Sequence, residues 1–202
     1  MGSLRYEEYW LKKQKRVFNA NKYNLKGDGI KIVIFPSKLH YKGVLTAYSE
    51  IIEQVCQLSN RVVLKPHTRH MKLHALKASI KNSGIKVVRD QFSSSDLINW
   101  CDIGIVWGSS IGIQLVVENK TLFYPKYAHD LETIYDKYLP ETVVNNTEEL
   151  IEGIKKTIKN KALNYSNKSK NKFIEEVIYG GDVDQSPLQK YTQFFDKIAR
   201  GT

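Results

Sequence analysis

The chain has 202 residues, 42% of them hydrophobic and 26% charged, which suits one globular domain with a full-sized core or two small ones. No apolar run approaches the ~20 residues that span a bilayer, and no signal peptide is visible at the polar, basic N-terminus. The net charge of +10 belongs to the flanks: between Lys31 and Leu150, 14 Lys/Arg stand against 12 Asp/Glu, and the excess lies in Leu11–Arg16 and Lys155–Lys172.

In chain order, residues 1–29 form a basic, aromatic-bearing lead-in, and residues 30–202 one Rossmann-like domain. "IKIVIF" (Ile30–Phe35) is a short β-branched run bounded by turn residues, as a buried strand should be. Val44–Leu58 has helical apolar spacing, "RVVL" (Arg61–Leu64) is a second strand, and His70–Asn82 predicts a helix closed by Gly84. "IKVVRD" (Ile85–Asp90) is a third strand, and "SSSD" (Ser93–Asp96) offers an N-cap to a short helix ending near Trp100. A fourth strand over Ile103–Trp107, a helix over Ser109–Glu118 and a fifth strand over Thr121–Tyr124 follow. Thr147 opens the next helix, and two more lead to the C-terminus. Short strands alternating with helices mean βαβ units: an α/β fold with a Rossmann-like parallel sheet of about five to six strands, helices on both faces.

In such sheets ligands bind at the carboxyl ends of strands, where two loops carry chemistry. "GSSIG" (Gly108–Gly112) can place backbone N–H groups and two hydroxyls around an anion, although a plain helix cap also accounts for one serine. "KPHTRH" (Lys65–His70) supplies cations and hydrogen-bond donors after the second strand. His67 is placed to donate to a phosphate or to act as a proton donor near neutrality. Lys38 and His40, after the first strand, either face the same cleft or are solvated. His70 and His74 have a metal-compatible i, i+4 spacing, but no third ligand joins them, and no metal site is expected. Cys56 and Cys101 give neither metal spacing nor a disulfide framework, which favours a reducing compartment.

Order and residues together resemble the C-terminal half of GT-B transferases, over roughly Ile30 to Ala199. The nearest branch is that of CDP-glycerol glycerophosphotransferases and capsule polysaccharide transferases. Lys65-Pro66-His67, Asp96-Leu97, Asp102 and Ser109-Ser110 match its motifs, and "YAHDLETIYDKY", "NNTEELIEGI" and "YGGDVDQSPLQKYTQFF" resemble its later segments. Departures are Thr68 for a second proline, Trp107-Gly108 for Asp-Tyr, Thr121 for a proline, and Gln114 where an acid follows the serine pair.

The resemblance implies a donor-binding domain for a CDP- or UDP-linked substrate, with no cofactor and no metal. It puts Lys65, His67, Arg69, Ser109 and Ser110 at the donor diphosphate, His67 also in the catalytic role, and Gln114 and Lys38 at the ribose or base. It implies a capsule or teichoic-acid-type glycosyltransferase or glycerophosphotransferase whose N-terminal acceptor domain is missing here, the chain being a fragment inactive alone or else a one-domain protein that needs a partner. A non-catalytic nucleotide-sugar-binding or scaffold module, and a half-domain of a UDP-sugar epimerase-like enzyme, are the alternatives. The expected location is the cytoplasm, with peripheral contact at the inner face of the membrane. The basic flanks read as solvated helix faces, an anionic membrane surface being the partner they would otherwise fit. No nucleic-acid motif accompanies the charge, so nucleic acid is not an expected partner.

Overall fold

The computed structural model describes residues 2–13, 17–25, 27–36, 44–67, 80–88, 92–128 and 132–200. Within them six strands form one sheet: β1 (Ile32–Phe35), β2 (Val62–Leu64), β3 (Lys86–Val87), β4 (Ile103–Val106), β5 (Thr121–Pro125) and β6 (Val143–Val144). Every pairing is parallel, in the order β3-β2-β1-β4-β5-β6. The chain therefore builds outward from β1 in one direction, then restarts beside β1 with β4 and builds in the other. That reversal falls between β1 and β4, and in open sheets of this kind the carboxyl ends of the strands at such a switch point are where ligands bind.

Side chains alternate across the sheet with period two, and both faces are covered. Ile32, Ile34, Val62, Leu64, Ile103, Ile105, Trp107 and Phe123 face one side. There they meet helix α2 (Val44–Leu58), whose buried Tyr48, Ile51, Ile52 and Val55 recur at i, i+3, i+4 and i+7, and Leu150 and Ile154 of a later helix, α6 (Thr147–Asn160). Val33, Phe35, Val63, Val106, Leu122 and Tyr124 face the other side. They pack on α3 (Ser94–Trp100), α4 (Ile111–Val117), α5 (Ile134–Tyr138) and α7 (Asn167–Val177). Each such fully buried aliphatic or aromatic side chain contributes ~1.5–3 kcal/mol of transfer free energy.

The lead-in packs on this second face. It forms a 3-10 turn (Leu4–Tyr6), helix α1 (Glu8–Lys13) and a second turn (Ala20–Tyr23), and buries Tyr6, Phe18 and Leu25 in the same core as Tyr135 and Phe173. Phe18 stands edge-on to Phe92 and Trp100 at 5.0 and 5.2 Å. Helix α8 (Pro187–Arg200) closes the chain and is tied to the lead-in by the Leu188 N–H, which donates to Glu7 Oε1 at 3.0 Å.

Local signals account for most boundaries. Ser93 and Asp96 cap α3 reciprocally, the Ser93 hydroxyl accepting the Asp96 N–H (3.2 Å) and the Asp96 carboxylate the Ser93 N–H (2.8 Å). Asn146 and Ser166 cap α6 and α7. Several spans differ from expectation, among them the third strand, expected over Ile85–Asp90 and formed at Lys86–Val87. The fourth strand stops at Val106 instead of Trp107, the helix after it begins at Ile111 instead of Ser109, and the "LETIYDKY" segment contains the unforeseen α5. The sixth strand, only two residues long, is too short to show a period. The predicted helix over His70–Asn82 lies largely outside the described residues.

Candidate functional site

β4 leaves the sheet at Val106, and Trp107–Ser110 turn the chain into α4. Gly108 makes the turn with φ +50°, a left-handed conformation that costs glycine little. Trp107 is fully buried on the opposite side, edge-on to Tyr48 at 4.6 Å, and its Nε1 finds no hydrogen-bond partner among the described residues. That leaves Gly108, Ser109 and Ser110 as the loop at the rim.

Three tyrosine hydroxyls brace this loop from beneath. Tyr124, on β5, hydrogen-bonds the Gly108 backbone. Tyr135, on α5, donates to the Ser109 carbonyl at 3.1 Å, and Tyr6, from the lead-in, donates to the Ser110 carbonyl at 2.9 Å. Burial pushes the Tyr124 and Tyr135 phenols above their ordinary range, so both keep their protons at any physiological pH. Ser109 is half-buried, and its hydroxyl accepts the Ile111 N–H at 3.3 Å, which leaves the O–H itself to donate elsewhere. Ser110 is exposed, and its side chain caps nothing.

The second loop stands on the same rim. Lys65, one residue beyond the Ile34–Leu64 pair, donates its N–H to the Ile34 carbonyl at 2.9 Å. Its side chain and Pro66 are buried, while His67 is half-buried. β1 alone separates β2 from β4, so the two loops lie two strand spacings apart, ~10 Å. Ser109, Ser110, Lys65 and His67 thus converge on the carboxyl edge of the sheet around its reversal. Arg69, Lys38, His40, His70 and His74 lie outside the described residues.

Other motif residues go elsewhere. Gln114 is buried, and its Oε1 accepts the Ser95 hydroxyl at 3.0 Å, joining α4 to α3; the amide carbonyl is engaged within the protein rather than open to a ribose. Asp96 serves the α3 cap. Asp102 precedes β4 at the amino edge, where it accepts the Lys31 N–H at 2.9 Å and pairs with the Lys31 ammonium at 3.4 Å, remote from the rim. A cavity of ≈ 550 Å³ between β5, α6 and the start of α7 is lined by Phe123, Lys156, Asn164 and Ser166 among others, and by none of the anticipated site residues.

The tyrosine brace was missed from sequence. Its one readable trace is the cap of α5, where Thr133 Oγ1 accepts the Tyr135 N–H (3.3 Å) and Asp136 Oδ2 accepts the Thr133 N–H (2.8 Å). Asp136 also pairs with Lys126 at 2.7 Å. Burial raises the Asp136 carboxyl, but the bonds from Lys126 and Thr133 outweigh that and hold it below its usual value. Neither cysteine offers a thiolate: burial pushes Cys56 up to about 11 and Cys101 up to about 12. Among the described residues no group of three or more His, Cys, Asp or Glu side chains is arranged to hold a metal ion, and no helix is long and apolar enough to cross a membrane.

No protein-family model and no curated protein matches the chain. Solved structures do. A glycosyltransferase from Rickettsia africae ESF-5 superposes with a TM-score of 0.61 at 15% identity, over 97% of this chain and 53% of that one. HepE of Anabaena, in complex with UDP-glucose, gives 0.58 at 11% identity, over 94% of this chain and 55% of that one. The C-terminal CMP-Kdo binding domain of WaaA from Acinetobacter baumannii gives 0.51 at 10% identity, over 83% of this chain and 97% of that one. The chain thus spans about half the length of the first two and nearly the whole of the third. At these identities the likeness establishes the fold: an open, parallel, Rossmann-like domain of the kind found in GT-B glycosyltransferases.

Proposed function

We propose that this chain is the donor-binding domain of a glycosyltransferase, holding a nucleotide-activated sugar by its diphosphate at the rim formed by Lys65–His67 and Gly108–Ser110. The observation that carries this reading is the strand order, which brings both loops to the carboxyl edge at the sheet's reversal. Two superposable structures, HepE in complex with UDP-glucose and the CMP-Kdo binding domain of WaaA, support the same substrate class.

In this reading the serine hydroxyls and the His67 ring donate to phosphate oxygens, and the Lys65 and Arg69 cations offset their charge. When the sugar departs, negative charge grows on the leaving nucleotide. Donors already aimed at those oxygens stabilise that charge more than they stabilise the bound donor, which is what lowers a barrier. His67 is the group able to pass a proton to the leaving phosphate, and no metal or cofactor enters the scheme. Lys38 contacts the ribose or base. Gln114, its carbonyl held by Ser95, orients α4 behind the loop and has its amide nitrogen to offer the nucleotide. The acceptor site belongs to a second domain, matching the part of the Rickettsia and Anabaena proteins that this chain does not span. A capsule or teichoic-acid-type product, with a CDP- or UDP-linked donor, is the finer assignment, made on the motif resemblance. An anionic membrane surface would suit the basic flanks.

A non-catalytic nucleotide-sugar-binding module is the second reading, favoured by the buried Trp107 and the neutral, engaged Gln114 where the resembling transferases carry acids. Calorimetric titration with CDP, UDP and CMP tests what both share. Binding of at least one diphosphate, with the monophosphate weaker, is expected; no heat from any of them at millimolar concentration overturns the proposal. Transfer from the matching donor, assayed once an acceptor domain is supplied, separates the two.

A further inference from the structure

The Ser109–Ser110 stretch is held by phenols from two distant parts of the chain. Tyr135 lies 26 residues away on α5, and Tyr6 lies 104 residues away in the segment ahead of the sheet. Both residues are buried, 3% and 5% exposed, so each hydroxyl is delivered by a packed ring. Tyr135 is itself fixed between Tyr124 (4.9 Å between centroids) and Phe173 (6.0 Å).

Peptide geometry gives these bonds a consequence at the rim. A carbonyl and the N–H that follows it point in opposite directions. Pinning the Ser109 carbonyl toward the core therefore turns the Ser110 N–H away from the core. A carbonyl that accepts a hydrogen bond also polarises the N–H of its own peptide, making it a stronger donor. Gly108 is engaged by Tyr124 and the Ile111 N–H by Ser109 Oγ, whereas among the described residues no group accepts the Ser110 N–H.

We propose that Tyr6 and Tyr135 are positioning residues of the donor site, holding the Ser109 and Ser110 carbonyls inward so that the Ser110 N–H and both serine hydroxyls face the diphosphate. This rests on the donor-binding reading. Each carbonyl also accepts a first-turn N–H of α4, Gly112 on Ser109 at 3.4 Å and Ile113 on Ser110 at 3.1 Å, so loss of the phenols leaves these bonds as the hold against a rotation that would present a carbonyl oxygen, whose partial negative charge repels phosphate. Tyr6 thereby makes the segment ahead of the sheet part of the binding machinery rather than a mere lead-in.

The test is calorimetry of Tyr6→Phe and Tyr135→Phe with UDP, CDP, inorganic pyrophosphate and uridine. Phenylalanine keeps the packed ring and removes only the hydroxyl. Tyr165→Phe is the control: its buried hydroxyl donates to the Lys120 carbonyl at 2.8 Å, a bond of the same kind at the amino edge of β5. Each site variant should lose ~5- to 10-fold in affinity for the diphosphate ligands, with uridine binding unmoved and the control at wild-type affinity. Wild-type diphosphate affinity in both site variants overturns the inference alone. So does an equal loss in Tyr165→Phe, or a loss shared by uridine, since either marks a general loosening of the fold. An unsubstituted chain that binds none of these ligands removes the donor reading, and this inference with it.

Discussion

The Tyr135 hydroxyl occupies the space in which a side chain at Gly112 would begin, and the same hydroxyl donates to the carbonyl of Ser109. Helix α4 can sit this close to α5 only because residue 112 has no Cβ. Gly112→Ala must therefore push Tyr135 aside or shift α4. Overpacking of this kind costs ~1–3 kcal/mol, to which the lost phenol bond adds. Urea unfolding should show a lower midpoint with an unchanged slope. A second substitution, Tyr135→Phe, removes the clashing oxygen and should restore part of the loss; an unimpaired Gly112→Ala protein would mean the two helices are not in contact.

His67 makes a separable prediction. If it donates to the donor's phosphate, His67→Ala removes a charge-assisted bond of ~1.5–3 kcal/mol, a ten- to hundred-fold loss of nucleotide affinity. The side chain is only half-buried at a strand end, so the melting temperature should barely move. Lys159→Ala, which removes an exposed cation near the carboxyl end of α6, is the matched control and should bind normally. Equal losses in both variants would reduce the His67 effect to net charge.

Much of the sheet was legible because its signals are local. Ile32–Phe35 and Ile103–Val106 are short apolar runs between turn residues, and the Ser93–Asp96 cap is written within four positions. From these the alternation of strands and helices follows, and with it the rim carrying Lys65, His67, Ser109 and Ser110. The tyrosine brace was illegible for the opposite reason. Tyr6 meets Ser110 across 104 positions of sequence, and no pattern near either residue announces the pairing. Gln114 shows the converse limit, because a motif match fixes a position in the chain but not the direction of a side chain, whereas Asp102 was matched only as an acid ahead of a strand and stands there. Gln114 turns inward to Ser95, and Asp102 falls at the amino edge.

Acid should loosen the brace through α5. Asp136 accepts the Thr133 N–H and hydroxyl and pairs with Lys126, so its folded-state pKa lies below the unfolded value of ~3.9. A depressed carboxyl contributes stability that is complete above the unfolded value and is lost as pH falls through the folded one. The cap of α5 should therefore hold at pH 5 and above and weaken progressively below ~4. Asp136→Asn removes that contribution at all pH values, so its stability should fall less steeply than wild type on acidification. Parallel acid-unfolding curves for the two proteins would show that other carboxylates dominate.

The last prediction concerns α8, whose two halves differ in what holds them. Its first turns are anchored: Leu188 donates to Glu7 Oε1, the Lys190 ammonium donates to the Tyr179 carbonyl at 2.8 Å, and the Tyr191 hydroxyl reaches the Gly2 carbonyl at 3.4 Å. From Thr192 to Arg200 every residue is exposed, Phe195 at 61% and Ile198 at 60%. Apolar area left in water contributes nothing to folding, so this half of the helix adds little beyond its own weak propensity. A chain ended after Tyr191 should melt within ~2 °C of the full chain, since at this size a shift of 2–4 °C corresponds to ~1 kcal/mol. A chain ended before Pro187 loses all three anchors and should melt clearly lower. If instead the first truncation costs as much as the second, Phe195 and Ile198 must be covered in solution.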